Sequence, residues 1–138
     1  MAISLTPRMK NWLEAFGVHL ACANVNGKPV VVVSYSCQVE DDTISVPLEE
    51  QTQLQQIGKI VTANPQVAIA PGQLGSVRAP YQFKGKASLE GNNLKVKVEE
   101  IYCTKPGYEA GLRMDTMGFE NMKEFEETRW KDIEPPKA

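Results

Sequence analysis

The sequence predicts a mainly β fold with flanking helices (α+β), six antiparallel strands curled into a closed or half-closed barrel. The stretch Val30–Val39, VVVVSYSCQV, reads as one strand of ten residues with apolar side chains toward both faces of its sheet. Both faces therefore need cover. Ser34, Tyr35, Ser36 and Cys37 then interrupt the apolar run, as if the far end lined something polar. A ligand or a second subunit on the outside of the barrel satisfies both features. Tight-turn sequences at Asn26-Gly27, Glu40-Asp41-Asp42 and Gly91-Asn92-Asn93 separate the strands, and helical periodicity is confined to three stretches.

The first helix follows Thr6, a good N-cap, with Pro7 at its opening position. Met9, Trp12, Leu13 and Phe16 share one face, and Gly17 is a natural stop. Val18–Val25 reads as a strand, Val30–Val39 as its hairpin partner and Thr43–Leu48 as a third, together an antiparallel meander. Pro47 lacks an amide hydrogen and belongs at an edge or a strand end. A helix over about 50–63 carries Leu54, Ile57, Ile60 and Val61 on one stripe and ends at Asn64-Pro65. Its four glutamines, Gln51, Gln53, Gln55 and Gln56, suit a solvated face, a subunit contact or a ligand rim. Gln66–Ala70 is a short strand and Pro71–Pro80 a loop. Tyr81–Leu89 and Leu94–Cys103 alternate as the last hairpin, with Leu94, Val96 and Val98 inward. Beyond Lys105-Pro106-Gly107, Phe119–Trp130 reads as an amphipathic helix burying Phe119, Met122, Phe125 and Trp130. Glu127 and Lys131 are spaced as a stabilising pair, and residues 134–138 are expected to be disordered. This divides the chain into a domain over 1–113 and a helical extension with its tail over 114–138.

The balance of 15 Lys+Arg against 17 Asp+Glu, with no basic block, argues against a nucleic-acid footprint. No apolar run approaches a membrane span, and MAISLTPRMKNW lacks the apolar core of a secretion signal. A cytoplasmic protein without nucleic-acid or membrane partners is expected. Cys22, Cys37 and Cys103 lack metal-ligand spacing and are expected to be buried reduced thiols. No metal site and no catalytic acid or base stands out. His19 is the one histidine, and a lone strand histidine is more often structural.

NGKPVVVVSYSCQVEDDTISVPL at 26–48, Asn-Pro-x-Val-Ala at 64–68, YQFKGKASLEG at 81–91 and VKVEEIYCTKPGYEAG at 96–111 occur in an informative order. Across roughly residues 8 to 113 the chain resembles the FMN-binding split-barrel family of pyridoxamine 5′-phosphate oxidases and small FMN-binding proteins. The resemblance implies a six-stranded split β-barrel of Greek-key type. It also implies a homodimer holding FMN at the interface, and an electron-transfer or flavin-dependent oxidoreductase role. By position, Val32, Val33, Ser34, Tyr35 and Ser36 would flank the ribityl chain and phosphate. Val46, Pro47, Leu48 and Glu49 would run along the ring edge through backbone groups, and Thr52 and Gln53 would donate hydrogen bonds at the helix opening. Tyr35 would stack on the ligand, donate a hydrogen bond, or face the interior.

Two features depart from the family pattern. Its tight FMN binders open that helix with Lys-Thr or Arg-Lys, whereas 49–57 here reads EEQTQLQQI; Lys59, Arg78, Lys84 and Lys86 are the available cations. The turn at 91–93 also replaces a helix-containing insertion. Pyridoxamine phosphate oxidation itself is not expected, because basic residues for a phosphorylated substrate are not evident. An alternative role is a non-catalytic split-barrel binding or dimerisation module with weak or no flavin affinity. A third is a deazaflavin or haem in the same groove, with His19 the sole histidine to offer a haem. The redox partner is not named by the residues.

Overall fold

A computed structural model describes residues 3–74 and 77–130. The expected Glu127–Lys131 pair and the expected disorder at 134–138 involve residues outside that range. Helix α1 (Pro7–Phe16) is capped by Thr6, whose hydroxyl accepts the Met9 amide at 3.2 Å. Its apolar face lies in the core, with Met9, Trp12 and Leu13 wholly buried. Strands β1 (Val18–Ala23), β2 (Pro29–Ser34), β3 (Gln38–Glu40) and β4 (Thr43–Pro47) follow. Helix α2 (Gln51–Ala63) buries Ile57, Ile60 and Val61, and leads to β5 (Gln66–Pro71). A two-strand ribbon, β6 (Gln73–Leu74) with β7 (Val77–Arg78), precedes the long hairpin of β8 (Tyr81–Glu90) and β9 (Asn93–Cys103). A 3₁₀ turn (Asp115–Met117) and α3 (Phe119–Arg129) complete the described chain.

Seven strands form one antiparallel sheet in the order β2-β1-β5-β8-β9-β4-β3, which curls as a half-barrel around the core. This corrects the expected single strand over Val30–Val39. The run breaks at Tyr35–Cys37, and its two parts lie at opposite edges of the sheet. Ser34 provides the local reason. Its hydroxyl donates to the Ser36 carbonyl at 2.8 Å, a side-chain bond that competes with continued ladder pairing. The meander is corrected with it, since β4 pairs with β3 and β9, not with β2. The expected loop over 71–80 likewise contains the β6–β7 ribbon.

The β8–β9 ladder shifts register between Lys84 and Gly85. Glu99 is the extra residue, so inward positions pass from Leu94, Val96 and Val98 to Ile101 and Cys103. A side chain at Gly85 would place its Cβ 2.1 Å from the Lys97 carbonyl oxygen, which explains the glycine.

Helix α3 is fastened to the barrel by a buried carboxylate that its sequence pattern did not reveal. Glu126 accepts the Thr6 hydroxyl at 2.8 Å and a short hydrogen bond from the Tyr81 hydroxyl. Trp130 packs edge-on against Tyr81 and Phe125 at 5.3 and 5.2 Å, and its carbonyl accepts from Arg8. Met122 and Trp130 are buried as expected, whereas Phe119 and Phe125 are half-buried.

Burial raises the Glu126 carboxyl above its ordinary value of 4.5, opposed by the Tyr81 and Thr6 hydroxyls and the Arg8 charge. A raised carboxyl holds its proton more tightly in the folded chain than in the unfolded one. Its stabilising contribution is full below the unfolded value and is lost as pH rises through the folded value. Glu126→Gln, which does not ionise, should flatten the fall in stability from pH 4.5 toward neutral. Urea midpoints measured across that range check this, and parallel pH profiles for the two proteins would reject it.

Candidate functional site

The break in the valine run creates the most distinctive place on the surface. Gly17 passes directly beneath it, with φ of 73° and room for no side chain against the Ser34 carbonyl. Above it, Ser34 is buried and its hydroxyl also lies 3.3 Å from the Pro47 carbonyl. The corner is thereby tied to the end of β4, next to the opening of α2. Between them runs a cleft of about 280 Å³, lined by Ser36, Cys37, Gln38, Ser45, Pro47, Glu49 and Asn93.

The sequence-predicted site residues divide by direction. Val32, Val46 and Leu48 point into the core and are at most 4% exposed, so their side chains support the corner from within. Ser36, Pro47 and Glu49 line the cleft. Thr52 is exposed and Gln53 half-buried in the first turn of α2. Val33 and Tyr35 turn outward, at 45% and 86% exposure, which excludes an interior-facing tyrosine.

Val31 is 59% exposed, so the outer face of β2 is bare rather than covered as the valine run implied. Register extends this face across the sheet: Val31 lies opposite Ala21, itself opposite Ala68, and Val33 lies opposite His19, itself opposite Ala70. Small and apolar residues therefore surround the exposed His19. Among the described residues, no three His, Cys, Asp or Glu are placed to hold a metal ion.

The three cysteines are buried and unpaired. Cys37 donates to the Leu13 carbonyl at 2.9 Å. Burial, with the Glu14 charge nearby, pushes its thiol up to about 12, so at neutral pH it is an inert donor.

The opening of α2 gives the electrostatic test of an FMN phosphate. Its first amides lack intrahelical acceptors, and Glu50 makes no side-chain cap bond. Glu49 and Glu50 are both exposed there. Of the cations available in sequence, Lys59 sits farther along α2 beside Leu89, Lys84 lies 4.9 Å from the Tyr102 ring centroid, and Lys86 faces Glu99 at 3.8 Å. The Arg78 side chain falls outside the described residues. Lys95 reaches a cleft residue directly, its ammonium donating to the Ser45 hydroxyl at 2.8 Å. The apolar ridge suits an aromatic ring; the α2 opening does not fit a dianionic phosphate.

Ser45, Gln38 and Asn93 line the cleft but were not among the predicted site residues. The signal that brings Asn93 there is the pairing of Pro47 with Asn93, and that of Gln38 with Ser45 depends on the strand break. Neither register is written in local sequence pattern.

No family model matches the chain, and no curated protein does. Solved structures do. HupZ of Group A Streptococcus is 20% identical, with a TM-score of 0.59, over 78% of this chain and 99% of that one. A Lactobacillus delbrueckii protein named as a proposed pyridoxamine 5′-phosphate oxidase is 17% identical, with a TM-score of 0.55, over 72% of this chain and 94% of its own. At such identities the likeness concerns architecture alone. The chain has the split-barrel fold of the pyridoxamine 5′-phosphate oxidase type, the fold that its sequence resemblance implied.

Proposed function

We propose that two copies of this chain join through the outer face of β2 and hold a flavin beside the 34–37 corner. The dimer serves as an electron-transfer protein or a flavin-dependent oxidoreductase. The observation that carries this reading is the exposure of Val31 and Val33 on β2 and of Tyr35 just beyond its end, adjoining a polar cleft that Glu49 borders. Exposed aliphatic and aromatic side chains in a row are a surface with something to cover. FMN is the flavin that the resemblance implies. The flavin would supply the redox chemistry; the protein would supply orientation and exclusion of water. Within the described residues, no helix is long and apolar enough to cross a membrane.

A second reading keeps the dimer and omits the flavin. Glu49 and Glu50 at the opening of α2 favour it. Light scattering and a visible spectrum of the purified protein separate the two. A yellow dimer supports the first reading. A dimer that stays colourless and takes up no flavin in titration leaves the second, and a monomer rejects both.

A further inference from the structure

The junction of β4 with α2 carries charge of the wrong sign for a phosphate monoester. Glu49 borders the cleft and Glu50 precedes the first helical turn, both exposed to solvent. The partial positive charge of a helix N-terminus is about half a unit, less than the two carboxylates beside it. Among the described residues no Lys or Arg lines the cleft itself, and the Lys95 ammonium beside it is engaged with the Ser45 hydroxyl at 2.8 Å.

Neutral groups are well supplied there. Ser36, Gln38, Ser45 and Asn93 line the cleft, and Ser45 accepts from Lys95, which leaves its own hydroxyl hydrogen free to point elsewhere. Such groups can exchange hydrogen bonds with a polyol in both directions. For a dianion they offer only neutral donors, weaker than charge-assisted ones.

We infer that the flavin this cleft selects is the uncharged one, its tail ending in a ribityl hydroxyl: riboflavin in preference to FMN. The inference rests on the flavin reading above, and concerns the tail alone. Fluorescence titration of the full chain with riboflavin and with FMN, side by side at low salt, tests it. Riboflavin is expected to bind about tenfold more tightly, because two exposed carboxylates repel a phosphate through a largely aqueous medium. Added salt should tighten FMN and leave riboflavin unchanged. The double substitution Glu49→Lys, Glu50→Lys should reverse the preference, with circular dichroism confirming the fold.

Equal or tighter binding of FMN by the unsubstituted protein overturns the inference and leaves the flavin reading standing. So does an FMN affinity that falls with salt, which marks attraction. Binding of neither compound overturns both.

Discussion

Gly17→Ala is expected to destabilise the protein by about 3 kcal/mol or more. Two independent obstacles meet at that residue. Its φ of 73° is a left-handed conformation that a Cβ disfavours, and the Cβ would sit 2.1 Å from the Ser34 carbonyl oxygen. The obstructing atom is backbone, so no rotamer change removes it. The Gly17 carbonyl also accepts from the Gly72 amide at 2.9 Å, which ties the site to the end of β5. Relief of the clash would therefore shift the corner at Ser34–Tyr35 or the contact with Gly72. A lower urea midpoint with an unchanged slope is the predicted readout. A loss below 1 kcal/mol would show that the close approach of Gly17 to the corner is wrong.

The double substitution Val31→Asp, Val33→Asp should convert the proposed dimer to monomer, weakening association at least a hundredfold. Both side chains stand out from an edge strand, at 59% and 45% exposure, so the substitution disturbs the isolated barrel little. In a dimer each copy would bury two charges against apolar partners, at several kcal/mol per uncompensated charge. Sedimentation across a concentration series reads the change. A retained dimer would place the subunit contact on another face.

The sequence made the fold legible wherever the information is local. Thr6, Pro7 and Gly17 bound α1 as their chemistry requires, and the two-residue alternation of Tyr81–Glu90 sets its inward face. The valine run misleads for a physical reason. Four valines indicate extended backbone but not where it bends, and the Ser34 hydroxyl ends the strand through a bond that no periodicity shows. The cleft was half legible: Ser36, Pro47 and Glu49 lie together, whereas Ser45 and Asn93 arrive through pairing between strands far apart in sequence. Glu126 was hidden for a similar reason. A glutamate in a helix reads as a solvated residue until Thr6 and Tyr81 are known to converge on it.

That convergence bears on how the chain acquires its shape. The Thr6–Glu126 bond joins positions 120 residues apart, and Tyr81 reaches the same oxygen across 45. Loop-closure entropy must be met before such long-range contacts contribute, which makes topologies of this kind slow to form. During synthesis, the first helix must wait for a further 120 residues to emerge before its capping threonine finds its last partner.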